Sequence, residues 1–223
     1  PQASLAVQGT DARFPMRRIF CVGRNYEAHA REMGKDPTRE APFFFTKPAD
    51  AALDTPCTIP YPPQTEDLHH EIELVIAIGK GGRNIAEADV MDHVWGASVG
   101  IDLTRRDLQA EAKKAGRPWD WGKAFDNSAP IAALKPIADV PSVEQGRIWL
   151  AVNGEVRQDA DLADLIWSVR EHVAILSQSM ALAPGDIIMT GTPAGVAALV
   201  EGDVVTGGVD GIATLEVTIG PRA

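Results

Sequence analysis

The chain has 223 residues, long enough to bury a substantial core, and its 45% hydrophobic and 23% charged residues are ordinary for a globular protein. A formal net charge of -10 argues against a nucleic-acid binder, whose surface would be basic. No run is long and apolar enough to span a bilayer, and Pro1-Gln2-Ala3-Ser4 lacks the basic start of a secretory signal, so no membrane partner is expected. The two cysteines, Cys21 and Cys57, do not make a disulfide framework in a chain of this length. Cys21, within Ile19-Phe20-Cys21-Val22, reads as a small buried hydrophobe. A cytoplasmic location fits these features.

Residues 1–17 read as an N-terminal arm, loose over 1–16, ahead of a single domain over 18–223. Residues 18–23 read as a strand and Gly23-Arg24-Asn25-Tyr26 as a turn. Residues 26–33 have helical character, stopped by Gly34-Lys35-Asp36-Pro37. Residues 34–42 carry almost no apolar anchor and predict a mobile loop or lid. Phe43-Phe44-Phe45-Thr46 predicts a strand running into Lys47-Pro48. Residues 67–79 contain a β-branched apolar strand, residues 86–93 a short helix with Asn84 near its start, and residues 95–101 a further apolar run. Residues 104–115 are amphipathic and charged, with Gly116 placed to cap a helix. Residues 129–134 are extended. Asn153-Gly154 between alternating segments predicts a hairpin, because both turn positions need positive φ. Residues 168–180 give the best helix, with Val169, Val173, Leu176 and Met180 in one stripe and a Ser168–Glu171 capping box. Residues 186–190, 203–209 and 212–219 read as strands separated by glycine-rich turns. The sum is a β-rich α+β fold. Its strands do not alternate with long helices, which speaks against a Rossmann or α/β-barrel arrangement.

Glu71 and Glu73 stand two apart in the apolar strand, so both carboxylates face one side. Buried acids are rare unless something positive holds them, and two this close would force one to keep a proton. A divalent metal removes the conflict, and an all-oxygen set suits Mg²⁺ or Mn²⁺. Asp102, ending the apolar run before the charged helix, is the third ligand candidate. The alternative is an exposed strand face with salt-bridge partners; spacing alone divides the two readings almost evenly. His70 alternates away from the glutamates and reads as supporting, while His69 shares the Glu71 face but lies beyond the site. His93 and His172 sit in helical patterns unrelated to it.

Gly23-Arg24-Asn25-Tyr26, His29-Ala30-Arg31-Glu32, Lys47-Pro48, His70-Glu71-Ile72-Glu73, Gly100-Ile101-Asp102, Lys123-Ala124-Phe125-Asp126, Val152-Asn153-Gly154, Pro184-Gly185-Asp186 and Thr190-Gly191-Thr192-Pro193 follow one another at a specific spacing. Taken together they resemble the fumarylacetoacetate hydrolase family, most closely its short acylpyruvase and fumarylpyruvate hydrolase-like members. The resemblance implies a mixed β-sandwich roll with peripheral helices, usually a homodimer. It implies that Glu71, Glu73 and Asp102 bind Mg²⁺ or Mn²⁺, and that a carbon–carbon bond beside a ketone is cleaved. Similar folds also decarboxylate oxaloacetate, tautomerise keto acids or dehydrate sugar acids, so the metal site transfers more securely than the reaction.

For a 3-acylpyruvate substrate, His29 and Glu32 at i and i+3 on one helix supply a dyad to activate water, carried by the 34–42 lid. By spacing alone this pair reads as a solvated face; the resemblance supplies the catalytic role. The resemblance also turns Lys123 into the site, to hold a substrate oxygen or oxyanion, with Lys47 a weaker candidate. Arg106 and Gln109, on the helix after Asp102, share a face above the metal, and Arg106 suits a carboxylate. Thr192 offers donors to the pyruvyl carboxylate, and Arg24 and Tyr26 shape the cavity. The second acid of fumarylpyruvate needs a further cation, for which Arg31, Lys35 and Arg39 are the candidates. The leading expectation is hydrolysis of fumarylpyruvate to fumarate and pyruvate in gentisate-type breakdown of aromatic acids. Oxaloacetate decarboxylation or keto-acid tautomerisation is the rival, and a non-catalytic metal-bound module is a third reading.

Overall fold

The computed structural model describes residues 2–32 and 40–222. Two sheets face one another across the main core. The larger runs Phe43–Lys47, Arg18–Gly23, Asp186–Met189, Ile72–Ile78, Val94–Ile101, Ala129–Ile131, Ala52–Asp54. The smaller runs Glu155–Asp161, Arg147–Val152, Val204–Val209, Ala213–Arg222, Cys57–Tyr61. Early and late segments pair directly: Arg18–Gly23 lies parallel to Asp186–Met189, and Cys57–Tyr61 parallel to Ala213–Arg222. The arrangement is the β-rich, curled, mixed-sheet fold expected from the sequence.

The Ile72–Ile78 strand is buried along its whole length, because both of its faces are covered. Ile72, Leu74, Ile76 and Ile78 enter the main core with Leu150, Val205, Val217 and Ile219 of the smaller sheet. Val75 and Ala77 alternate to the opposite face and join a second cluster with Ile19, Cys21, Ile187 and Met189. Leu5, Phe14 and Met16 close that second cluster. They belong to a small hairpin, Ser4–Ala6 against Arg13–Pro15, fastened by Gln8 Nε2 donating to the carbonyls of Ala133 (3.1 Å) and Ile212 (2.9 Å). The segment read from sequence as a loose arm is therefore packed; strands this short offer too few positions for period-two alternation to register.

Turns and caps follow the local sequence. Asn153 and Gly154 take φ of 51° and 82° at the predicted hairpin, and Gly116 (φ 63°) caps the Arg106–Ala115 helix. Ser168 and Glu171 form the expected capping box on Val169–Ser179. Two boundaries differ from the sequence reading. Thr104–Arg105 pairs with Leu68–His69 before the helix starts at Arg106, and the 86–93 helix is a 3-10 segment, Glu87–His93, that follows Ala86 without a side-chain cap. Among the described residues no helix is long and apolar enough to cross a membrane.

His172 is fully buried in Val169–Ser179, its Nε2 without a hydrogen-bond partner among the described residues. Burial pushes its imidazole down to about 4. The unfolded chain takes up a proton as the pH falls through about 6.5 while the folded chain does not. Stability is therefore lost between about pH 6.5 and 4, by about 3 kcal/mol from this residue. Urea midpoints measured across that range should fall for the parent chain, and His172→Gln should flatten the difference; parallel curves would refute it.

Candidate active site and metal centre

Strand pairing assembles the acidic cluster. Ile72 pairs with Ile101 and Glu73 with Gly100, and the Asp102 N–H donates to the Glu71 carbonyl (2.8 Å). The strand begins at Ile72, so Glu73 lies within it and Glu71 immediately before it. Glu71, Glu73 and Asp102 are all buried, with ligand oxygens within 4.8 Å of one another.

Three cations face these three acids. Lys123 Nζ donates to Glu71 Oε2 (2.8 Å) and Asp102 Oδ2 (2.6 Å). Arg106 donates to Glu71 Oε1. Lys47 Nζ lies 2.8 Å from Asp102 Oδ1 and donates to the carbonyls of Leu103 (3.1 Å) and Lys123. Burial would raise Glu71, but Lys123 and Arg106 overcome it and hold the carboxyl far below its usual range. Burial would lower Lys123, but Asp102 and Glu71 overcome it and hold the ammonium above its usual range. Among the described residues Glu73 has no ion-pair partner and accepts from the Gly191 N–H (2.8 Å). Burial, then Asp102 and Glu71, push it well above the usual carboxylate range.

This donor set fits a divalent cation. The ligands are hard oxygens, and Glu73 is left repelled by its neighbours. Asp102 Oδ1 is buried and ion-paired with Lys47 at 2.8 Å, without a well-aligned hydrogen bond, so this oxygen too is a hard, charged donor facing the cluster.

The acids open into a cleft of about 400 Å³, counting its open mouth, that is also lined by Arg24, His29, Arg106, Gln109, Lys123 and Thr192. Of the remaining predicted residues, Glu32 reaches the cleft through His29, and Lys47 lies beneath Asp102. His29 Nδ1 is 3.2 Å from Glu32 Oε2. A carboxylate only accepts, so Nδ1 carries the proton and Nε2 keeps its lone pair. Burial holds the imidazole below the ordinary histidine range, against the opposing pull of Glu71 and Glu32. Glu32 is itself anchored by the Gly195 N–H (3.2 and 3.3 Å to its two oxygens). Gly195 has φ 95°, and a Cβ there would stand 2.0 Å from the Arg157 carbonyl, so glycine is what lets this loop approach the dyad.

Behind the cleft, Gln158 is fully buried and fully bonded. Its amide nitrogen donates to Thr192 Oγ1 and the Pro193 carbonyl (both 2.8 Å), and its oxygen accepts from the Ile72 N–H (3.1 Å) and faces His70 Nδ1 (2.9 Å). The Pro193 carbonyl can only accept, which fixes the amide orientation and makes His70 the donor. His70 is thus the supporting residue expected. His69 contacts Asp67 (2.8 Å) and Arg106 (3.4 Å) outside the cleft wall.

Two expectations are corrected. Tyr26 is buried but lines a different cavity, with Arg31. Arg31 pairs with Glu27 (3.1 Å) on the exposed side of Glu27–Glu32, facing away from the acids. Lys35, Arg39 and most of the predicted lid lie outside the described residues; at its edge the Glu40 carbonyl accepts from Trp167 Nε1 (3.0 Å). The sequence reading missed Phe43, Phe45, Lys113 and Trp119 in the cleft wall, and Gln158 behind it. Lys113 had a signal: with Arg106 and Gln109 it makes an i, i+3, i+7 stripe.

A buried three-carboxylate cluster that could hold a divalent metal, beside a histidine–glutamate pair on a curled β-rich fold, is the kind of site the motifs suggested. The family model for the fumarylacetoacetate (FAA) hydrolase C-terminal domain matches residues 18–220, and the chain belongs to this family. It is 45% identical over 186 residues to the fumarylpyruvate hydrolase of a Ralstonia species, covering 83% of this chain and 96% of that one. It is 40% identical to the mitochondrial oxaloacetate tautomerase of Bos taurus, covering 90% of each chain. The crystal structure of fumarylpyruvate hydrolase from Pseudomonas aeruginosa, in complex with Mn²⁺ and pyruvate, superposes with a TM-score of 0.96 at 51% identity, covering 100% of this chain and 98% of that one.

Proposed function

We propose that this chain hydrolyses the carbon–carbon bond of 3-acylpyruvates, with fumarylpyruvate, giving fumarate and pyruvate, as its substrate. Family membership and the fumarylpyruvate hydrolase relatives mark it as a hydrolase acting on carbon–carbon bonds. The observation that carries the finer reading is the His29–Glu32 dyad opening into the same cleft as the acidic centre. Tautomerisation or decarboxylation of a keto acid needs no attacking water; hydrolysis does, and a base oriented towards the cleft supplies it.

Glu71, Glu73 and Asp102 would hold Mg²⁺ or Mn²⁺. That ion supplies a Lewis acid for the oxygens of a 2-keto acid and a sink for charge on the departing carbon. Lys123 has three N–H donors; Glu71 and Asp102 take two, leaving one for a substrate oxygen. Arg106 donates to Gln109 Oε1 (2.8 Å), which turns the Gln109 amide N–H groups to the substrate. Thr192 Oγ1 already accepts from Gln158, so its own O–H is free to donate to the pyruvyl carboxylate. His29 Nε2 takes a proton from water as the water oxygen bonds to the distal carbonyl. The bond between that carbon and the pyruvyl methylene then breaks, and His29 returns the proton to the methylene, giving the acid and pyruvate.

We place the reaction in gentisate-type breakdown of aromatic acids, in a cytoplasmic homodimer whose catalytic domain spans 18–223. The likeness to oxaloacetate tautomerase favours a second reading, tautomerisation or decarboxylation of oxaloacetate on the same residues. The deciding assay follows loss of fumarylpyruvate and acetylpyruvate absorbance with Mg²⁺, with Mn²⁺ and with chelator. Metal-dependent loss of fumarylpyruvate with release of fumarate and pyruvate is expected. Consumption of oxaloacetate with no acylpyruvate hydrolysed would mean the second reading.

A further inference from the structure

Two cations in the cleft, Lys113 and Arg24, sit against aromatic rings and have no carboxylate partner among the described residues. Lys113 lies on the same face of Arg106–Ala115 as Arg106 and Gln109, two helical turns and about 10 Å beyond Arg106. Its Nζ sits 4.9 Å from the centre of the Trp119 ring. Across the mouth, the Arg24 guanidinium sits 5.1 Å from the centre of the Phe43 ring. Phe43 and Trp119 meet edge to face at 5.4 Å, so the two cation seats are adjacent. Among the described residues, neither Lys113 nor Arg24 has a carboxylate partner, whereas Arg106, Lys123 and Lys47 each have one.

The backbone is arranged for this. Arg24 holds φ at 54°, a left-handed conformation that a long side chain adopts at a cost of roughly 1–2 kcal/mol. Gly23 before it lies flat under the Phe43 ring; a Cβ there would stand 2.0 Å from a ring carbon. Strain of this kind persists where the surrounding structure needs the side chain in one place.

We propose that Lys113 and Arg24 form a second anion subsite that reads a carboxylate at the far end of the acyl group, so that the enzyme prefers acylpyruvates whose acyl chain ends in an acid. This rests on the acylpyruvate hydrolase reading and adds the residues that select among acylpyruvates. The subsite stands away from the acidic centre along the helix, with the Phe43, Phe45 and Trp119 rings as the wall between, a surface suited to a flat conjugated chain. The charge balance agrees. Lys113 has its ammonium pushed down to about 8 by partial desolvation and then by Arg106 and Arg24, against the opposing pull of Glu71, as expected where cations crowd one another. The subsite takes the role expected of Arg31, Lys35 or Arg39.

The test compares kcat/KM for fumarylpyruvate and for acetylpyruvate, which shares the pyruvyl end but has no far carboxylate. Lys113→Met should lower the fumarylpyruvate-to-acetylpyruvate ratio by about 10- to 100-fold, the worth of one charge-assisted hydrogen bond. Lys113→Arg, which keeps the charge, should restore most of the ratio. Equal loss on both substrates, or an unchanged ratio, overturns the subsite while leaving the hydrolase reading intact. A parent enzyme that hydrolyses neither substrate overturns the hydrolase reading and the subsite with it.

Discussion

Asp102→Asn is expected to lower metal-dependent turnover by about 10³-fold or more, since the ion's contribution to charge stabilisation is worth several kcal/mol. Asp102 is a proposed ligand and also the carboxylate that Lys123 and Lys47 share. Asparagine keeps the shape but removes the charge, and one of the two ammonium groups, which can only donate, then faces an amide NH₂. Buried Lys47 then loses its carboxylate and Lys123 keeps only Glu71, and breaking a buried pair in this way costs about 3–5 kcal/mol. The variant should melt at lower temperature and bind Mn²⁺ far more weakly in a calorimetric titration. Glu73→Gln provides a contrast. Burial and its neighbours already favour the protonated form of Glu73 when no metal is present, so the metal-free variant should be about as stable as the parent while still losing metal affinity. If Asp102→Asn bound Mn²⁺ and turned over like the parent, the acidic cluster would not be the metal centre.

The acids were legible because a strand period and an apolar run are local facts. Glu71, Glu73 and Asp102 stand where β-branched residues predicted a buried strand and an adjacent strand end, although spacing alone left an exposed salt-bridged face almost as probable. What decides between the two is the set of cations, and these come from far along the chain. Lys123 arrives on a four-residue helix, Asp120–Lys123, that no hydrophobic period announces. Gln158 sits in Glu155–Asp161, among exposed neighbours, and turns inwards to join His70 to Thr192. Its burial follows from the pairing of Arg147–Val152 with Glu155–Asp161, which slips register at Leu150–Ala151. No pattern within the strand itself reveals that slip. The hairpin at Asn153-Gly154 and the cap at Ser168 were readable for the opposite reason, since each is settled by residues in direct contact along the chain.

His29→Ala separates the two reactions the family motifs leave open. The base contributes about 10²- to 10⁴-fold, and acylpyruvate hydrolysis should fall by that amount. Decarboxylation of oxaloacetate uses the acidic centre and Lys123 without an attacking water, so it should fall much less. The substitution leaves Glu32 fastened to the Gly195 N–H, so the local fold should survive. The parent's pH profile carries a second signature. Burial lowers His29, and the base form is lost as pH falls through its pKa, so the rate should be flat through neutral pH and decline only on the acid side of about 6.5. Glu32 raises His29 through its hydrogen bond and its charge. Glu32→Gln keeps an oxygen for Nδ1 but removes that charge, so the acid limb should move to still lower pH with a smaller loss of rate than His29→Ala. If His29→Ala hydrolysed acylpyruvates within tenfold of the parent, the dyad would be structural. If it lost both reactions equally, His29 would serve a proton transfer common to them, and the tautomerase reading would gain over the hydrolase.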